Sequence, residues 1–165
     1  MVDGVFFLTG EVNSGKTSVL SGWWVDLYRG RGKRIGGVLA PANWKGGTKV
    51  SYDIVDLSTG ERRLMASLKT IKDGERIGRF WFSRKGILLG NNAIKSLNAD
   101  WDIGIVDEVG PLELEGSGLA KGFREMLEHP PKKLIVVVRN TLLEDVARSF
   151  GIRDFRCLSI ESDPP

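Results

Sequence analysis

The sequence predicts an α/β fold, namely a mostly parallel sheet flanked by helices with an antiparallel β-hairpin insertion. Short apolar runs alternate along the chain with segments of helical periodicity, as is typical of a parallel sheet covered on both faces. This alternation is interrupted at about residues 43–82, where short strand-like runs are joined by Gly-containing turns. The 165 residues suffice for one hydrophobic core, so 1–165 is predicted to be a single domain with that insertion.

The first predicted elements are a strand, a helix and a second strand. An apolar run predicts the first strand over residues 4–9. The helix is predicted over about 15–28, because apolar residues recur there at three- and four-residue spacings: Leu20, Trp23, Trp24 and Leu27. Arg29 and Gly30 end this helix, and a second strand follows over about 34–39 before Pro41.

The insertion is predicted to contain three strands. These cover about residues 48–57, 62–68 and 76–82, with turns at 45–47 and 58–61. Trp44, Trp81 and Phe82 could stack on a nucleobase. The favoured alternative is that they pack in the core, since the domain has many apolar strands.

After the insertion the α/β pattern resumes. Ser83 can cap a helix that runs to about residue 97, and a second helix is predicted over 118–128. Two short, buried strands are predicted over 102–106 and 133–138. Residues 141–144 are interpreted as a capping box that opens a helix to about 150, and a last strand is predicted over 155–160.

A phosphate-binding motif, G-x-x-x-x-G-K-[ST], stands between the first strand and the first helix. Its glycines allow close backbone approaches, its amides form a concave anion site, and the helix places its positive dipole end at the phosphates. Lys16 supplies a point charge for the β- and γ-phosphates and is a predicted catalytic residue, while the Thr17 hydroxyl can ligate Mg²⁺. The predicted nucleotide-binding residues are Gly10, Glu11, Val12, Asn13, Ser14, Gly15, Lys16, Thr17 and Ser18. An ordinary Gly-rich turn is the disfavoured alternative.

A second motif is an apolar strand that ends in two adjacent carboxylates, Asp107 and Glu108. It looks like a Walker B element, and in a parallel sheet its carboxyl end lies at the same edge as the phosphate loop. Asp107 is predicted to hold Mg²⁺, and Glu108 to act as general base for a water that attacks the γ-phosphate. The alternative is that the pair merely begins a polar loop, and the phosphate loop weighs against it.

The strand over 133–138 is predicted to lie between the two motif strands, with its end facing the γ-phosphate. Arg139 or Asn140 could then sense or stabilise the transferring group. Equally, Arg139 could be a surface charge and Asn140 a loop residue, so both interpretations stay open.

Residues 106–114 closely resemble the D-E-[IV]-G-x-[ML]-E-[LM] signature of a small P-loop family, the thermostable nucleoside-triphosphatases, called cancer-related nucleoside triphosphatase in vertebrates. The likeness continues at 36–39, 45–53 and 76–80. It implies a single-domain, Mg²⁺-dependent phosphohydrolase that cleaves NTPs, including ATP and GTP, to NDP and phosphate with little base preference. The family's roles carry over to Gly10, Gly15, Lys16, Thr17, Asp107 and Glu108. Glu113 also matches the signature, and its role could be either catalytic or structural.

Charge and composition disfavour or exclude several kinds of site and cellular location. A net charge of +3 and one basic cluster at 29–34 fit a solvated turn better than a nucleic-acid site. The single Cys157 excludes an intramolecular disulfide and a cysteine metal cluster. The sequence shows no signal peptide and no apolar run of membrane-spanning length, so we expect a cytoplasmic protein without membrane contact. We also expect it to act as a monomer.

Two other functions remain alternatives to hydrolysis. One is a kinase that moves the γ-phosphoryl group to a small molecule or nucleotide. The acidic pair favours water as acceptor, and no Arg-rich lid is evident that would exclude water. The other is a slow nucleotide-dependent switch or adaptor, with the insertion as its partner-binding element.

Overall fold

A computed structural model of the chain describes residues 4–10 and 15–165. Its strands are β1 (Gly4–Leu8), β2 (Ile35–Leu39), β3 (Ala42–Lys45), β4 (Thr48–Asp56), β5 (Arg62–Ser67), β6 (Glu75–Ile77), β7 (Phe80–Phe82), β8 (Ile103–Val106), β9 (Lys133–Val137) and β10 (Arg156–Leu158). Its helices are α1 (Lys16–Val19), α2 (Val25–Gly30), α3 (Arg84–Lys95), α4 (Pro111–Leu114), α5 (Ala120–Glu128) and α6 (Leu143–Ser149). A π-helical segment, Leu20–Trp24, joins α1 to α2, and a 3-10 turn, Asn140–Leu142, precedes α6.

The described strands form one continuous sheet in the order β10-β1-β9-β8-β2-β4-β5-β7-β6, with β3 paired to β4. The half from β10 to β2 is parallel, whereas every pairing from β2–β4 onward is antiparallel. The prediction of a mostly parallel sheet therefore holds for that half only, and the sheet as a whole is mixed. The reason is that β4 pairs directly with β2, so the inserted strands extend the sheet instead of forming a separate hairpin.

The insertion departs from the predicted elements in two places. The run 76–82, predicted as one strand, is two antiparallel strands, β6 and β7, because Gly78 turns the chain with a φ of 62°. Strand β3 was not predicted, and it pairs with β4 across the Gly46-Gly47 turn. The insertion is thus a five-stranded antiparallel extension.

Of the two predicted helix caps, one is wrong and one is confirmed. The capping box predicted at Thr141 is wrong, because α6 begins at Leu143 without a side-chain cap. The Leu142 amide donates to the Arg139 carbonyl at 2.9 Å, which tightens residues 140–142 into a 3-10 turn. The predicted cap at Ser83 is confirmed, since its hydroxyl accepts a hydrogen bond from the Gly86 amide at 3.1 Å.

The core lies on both faces of the sheet. One face packs against the α1–α2 helix, whose buried residues are Leu20, Trp24, Val25 and Tyr28. The other face is covered by α3, α5 and α6, and buries a larger apolar cluster that includes Ile94, Phe123 and Val146. Parallel strands covered on both faces read as continuous apolar runs, as β8 and β9 do.

Gly37 allows β2 to pair closely with β8. Its φ is 100°, and a Cβ built there would lie 1.9 Å from the Ile105 carbonyl oxygen. No larger residue fits without moving a strand, so glycine is required at this pairing. The close pairing brings Ala40, just after β2, beside Asp107, just after β8.

Candidate active site

Four parallel strands end at one edge of the sheet and place the predicted site residues there. β1 leads to Gly10, β8 to Asp107, β9 to Arg139, and β2 to Ala40. β9 lies between β1 and β8, which confirms the predicted strand order. In α/β sheets this edge is where ligands bind.

Asp107 joins the two sequence motifs through hydrogen bonds. Its Oδ2 atom accepts from the Thr17 hydroxyl at 2.7 Å and from the Ala40 backbone amide at 2.9 Å. The side chain is only 1% exposed, and this burial raises the pKa of Asp107 to about 6, although both hydrogen bonds oppose the rise. The carboxylate is therefore held under a desolvation penalty that a cation would relieve.

The described part of the phosphate loop has the backbone that its motif predicts. Gly15 precedes α1 in a left-handed conformation with φ 87°, and the Lys16 ammonium donates to the Gly10 carbonyl at 3.4 Å. Ser18 is exposed and faces the cleft described below. The predicted binding residues Glu11, Val12, Asn13 and Ser14 lie outside the described residues.

Glu108 has a different environment from its neighbour Asp107. Its side chain is 39% exposed and forms an ion pair with Arg139, Oε1 to Nη2, at 3.4 Å. Its backbone is left-handed, with φ 67°, which is unusual for a residue with a Cβ. Because of this turn, the two consecutive carboxylates have different partners: Asp107 accepts a hydrogen bond from Thr17, and Glu108 pairs with Arg139. Arg139, the first of the two candidates after β9, thus reaches Glu108, and Asn140 lies in the 3-10 turn.

Glu113 has a structural position. It is 5% exposed, its Oε2 accepts from the Gly110 amide at 2.9 Å, and its Oε1 accepts from the Leu119 amide at 3.2 Å. Burial raises the pKa of Glu113, although the two hydrogen bonds from backbone amides lower it. Both carboxylate oxygens of Glu113 therefore stabilise the loop that follows Glu108. This loop contains the short helix α4, and the sequence did not predict that helix.

We expect Glu113→Ala to lower the free energy of unfolding by about 2 kcal/mol, because two buried amides lose their acceptor while removal of a buried carboxyl offsets part of the loss. Urea denaturation of the nucleotide-free protein measures this. Glu115→Ala, at an exposed neighbour, is the matched control and should change stability by less than about 0.5 kcal/mol. Equal stabilities for both variants would refute the structural role.

The site residues open into a cleft of about 880 Å³, the strand-edge cleft. One wall comprises Gly15, Lys16, Thr17 and Ser18 from the loop and helix α1. The wall formed by the insertion includes Trp44, Lys49, Arg79 and Phe80.

Sequence reasoning missed this second wall. It favoured the core for Trp44 over stacking on a nucleobase, whereas Trp44 is 50% exposed in the cleft, on the hairpin β3–β4. Phe82, in contrast, is buried as expected. Lys49 and Arg79 are cations that line the same cleft, and their signals were the glycine turns beside them and their place in the family-like segments 45–53 and 76–80.

Hard oxygen donors, the Thr17 hydroxyl and the Asp107 carboxylate, are the groups here that suit a small divalent cation. Within residues 4–10 and 15–165, no group of three or more His, Cys, Asp or Glu side chains could hold a metal ion. None of the helices in that part of the chain has the length and apolar character needed to cross a membrane.

Comparison with known families places most of the chain in one of them. A family model described as NTPase matches residues 5–163. The chain is 32% identical over 150 residues to the nucleoside-triphosphatase THEP1 of Methanothermobacter thermautotrophicus, covering 90% of this chain and 83% of that protein. It is 31% identical over 134 residues to the protein of the same name from Methanopyrus kandleri, covering 81% and 73%.

Two solved structures share the fold. A human cancer-related nucleoside triphosphatase aligns with a TM-score of 0.67 and 19% identity, over 94% of this chain and 87% of that one. THEP1 from Aquifex aeolicus aligns with a TM-score of 0.68 and 16% identity, over 94% and 89%. At these identities the likeness concerns the fold alone.

Proposed function

Since the chain belongs to the NTPase family of nucleoside-triphosphatases, we propose that residues 1–165 act as one domain that hydrolyses NTPs, ATP and GTP among them, to NDP and phosphate with Mg²⁺ as cofactor. The observation that carries the proposal is the 2.7 Å hydrogen bond between Thr17 and Asp107. It brings a hydroxyl from the phosphate-loop helix and a carboxylate from β8 together at the edge where nucleotides bind in such sheets.

The triphosphate would lie along the helix α1 wall of the strand-edge cleft. The loop amides and the α1 N-terminus supply positive partial charge, and Lys16 adds a full charge for the β- and γ-phosphates. Gly10 and Gly15 permit the close backbone approach. Lys49 and Arg79 on the opposite wall would face the same anionic groups and reduce their mutual repulsion.

Thr17 and Asp107 would hold Mg²⁺, with Asp107 acting directly or through a water. The ion supplies Lewis-acid stabilisation of charge on the phosphate oxygens. The Thr17 hydroxyl now donates a hydrogen bond to the buried Asp107 carboxylate. A cation bound between the two oxygens would take the place of that hydrogen bond.

Glu108 would act as general base for the attacking water. It is the half-exposed member of the acidic pair and lies in the cleft between the loop wall and the insertion wall. Arg139 holds its carboxylate from one side and faces the same cleft, where it can stabilise negative charge that develops on the γ-phosphoryl group.

We expect phosphate release to require Mg²⁺ or Mn²⁺ and to stop when EDTA is added, because oxygen ligands favour these ions and no sulfur or imidazole cluster is described. A malachite-green assay with each NTP measures this, and Lys16→Ala provides an inactive background. Full activity in excess EDTA would contradict the proposed metal site.

Base preference should be small. Among the described residues that line the strand-edge cleft, we find no arrangement dedicated to the edge of guanine or adenine, so the phosphates should carry most of the affinity. Competition between pairs of NTPs measures this, and a preference beyond about a hundredfold, roughly 3 kcal/mol, would refute it.

A further inference from the structure

A second cavity adjoins the strand-edge cleft. Its volume is about 290 Å³, and we call it the apolar pocket. The two share a wall that comprises Ala40, Lys49, Phe80, Asp107, Glu108 and Arg139. Lys16, Thr17 and Ser18 line the cleft and not the pocket. The pocket therefore begins at Glu108, on the side away from the described phosphate-loop residues.

The interior of the pocket is apolar and rich in aromatic rings. Tyr52 meets Phe80 and Phe82 edge to face, with centroid distances of 5.8 and 6.2 Å. Aliphatic side chains complete the wall: Ile54, Met65, Ile77, Leu112 and Leu119. A volume near 300 Å³ is at the lower end for small-molecule pockets and suits a single-ring compound. Hydrolysis needs only one water beside Glu108, so it does not account for this cavity.

The polar side chains that line the pocket are those of Lys49, Tyr52, Asp107, Glu108, Glu113, Glu115 and Arg139. The Glu108 carboxylate is half exposed and can accept further hydrogen bonds, whereas both oxygens of Glu113 are already bonded to amides. Burial raises the pKa of Tyr52 far above neutral, so its phenol remains a donor. The Lys49 ammonium lies 4.5 Å from the Tyr52 ring centroid, and the lining carries four carboxylates against the two cations Lys49 and Arg139, so it disfavours an anionic ligand. The apolar interior suits an uncharged body, and the Glu108 carboxylate can accept a hydrogen bond from one hydroxyl group on it.

We propose that the apolar pocket binds a small, neutral, hydroxyl-bearing organic molecule and presents its hydroxyl to Glu108 as a phosphoryl acceptor in competition with water. The hydroxyl oxygen bonds to the γ-phosphorus as the bond from that phosphorus to the β–γ bridging oxygen breaks. Glu108 takes the hydroxyl proton. The products are NDP and a phosphate monoester. This inference rests on the proposed function, because it takes the γ-phosphate to be held between Lys16 and Glu108.

Benzyl alcohol is a suitable probe, since it combines one ring with one hydroxyl. Its binding at millimolar concentration is measured by saturation-transfer NMR, and benzyl phosphate is measured by phosphorus NMR with ATP and Mg²⁺. We expect the alcohol to bind and the ester to form beside free phosphate. Toluene should bind in the same way and form no ester. Phosphate release without any alcohol tests the proposed hydrolysis separately.

Two variants test whether the pocket is the binding site. Ile77→Trp and Leu112→Trp should each fill it from a different wall and lower the ratio of benzyl phosphate to free phosphate by about tenfold or more. Leu64→Trp is the matched control, on strand β5 of the insertion, because Leu64 is exposed and does not line the pocket. It should keep the wild-type ratio.

The proposal is overturned if wild-type protein that releases phosphate neither binds benzyl alcohol nor forms the ester. Binding without ester formation overturns the assignment as an acceptor site. An unchanged ratio in both folded filling variants, with folding checked by circular dichroism, places the alcohol elsewhere and also overturns it. If phosphate release itself is absent, the proposed function fails instead.

Discussion

Glu108→Gln is expected to lower turnover by roughly 10²–10⁴-fold, the usual contribution of a general base. Glutamine keeps the size of the side chain and can still bond to Arg139, but it cannot take a proton from water. The left-handed backbone at this position is equally tolerable for both residues, because both carry a Cβ. The change should therefore affect chemistry and leave the loop in place.

Binding of NTP should hardly change in this variant. Lys16, Thr17 and Asp107 remain intact, and they supply the proposed contacts to phosphates and metal. Single-turnover rates and dissociation constants measured side by side separate the two effects. Glu115→Gln, at an exposed residue in the same segment, is the control and should behave as wild type. Normal hydrolysis by Glu108→Gln would mean that another group takes the proton, and Glu113, whose oxygens are bound to two amides, is poorly placed for that task.

Asp107→Asn should have two opposite effects. Turnover should fall by at least about 10²–10³-fold, since the proposed metal site loses its carboxylate. The metal-free protein should become more stable, because a buried charge is removed. Both hydrogen bonds reach the same atom, Oδ2, so an asparagine carbonyl in that place can accept from Thr17 and Ala40 as before.

The sign of the stability change follows from the pKa of Asp107. Burial raises it from 3.8 to about 6, so the folded state binds more protons than the unfolded state between these values. Wild-type stability therefore falls as the pH rises from about 4 to about 6, and stays lowered above that. Asparagine does not titrate. Its free energy of unfolding should exceed that of the wild type by about 1–3 kcal/mol near neutral pH, and the gap should close in acid.

Urea denaturation in EDTA at neutral and acid pH measures this difference. Asp145→Asn, at an exposed position on α6, is the control and should show no comparable pH dependence. Mg²⁺ should stabilise the wild type and not Asp107→Asn, since only the wild type offers the charged ligand. A variant that is less stable than the wild type at neutral pH would show that the contacts of the carboxylate outweigh its desolvation.

Much of the fold could be predicted because its rules are local. Apolar runs and helical spacing located nearly all the core elements, and the order of β1, β9 and β8 followed from how such motif strands are arranged. Where local rules compete, prediction failed. The run 76–82 looks like one strand, but Gly78 turns it, and Thr141 has the pattern of a cap but lies inside a 3-10 turn.

The sequence by itself determined which residues meet at the candidate site, because a phosphate loop and an acidic strand end are short motifs whose backbone carries their residues to one edge of a parallel sheet. Only the tertiary structure decided what surrounds them. In it, two backbone amides donate to Glu113, and Arg139 forms an ion pair with Glu108. It also places Trp44, Lys49 and Arg79 of the insertion in the wall of the cleft. The amides that bond Glu113 lie only three and six residues away, whereas Arg139 and Glu108 lie far apart in the chain. The insertion residues reach the cleft because β4 pairs with β2, so that the antiparallel strands extend the parallel sheet. No local pattern encodes that pairing, because its two strands are brought together only when the sheet forms.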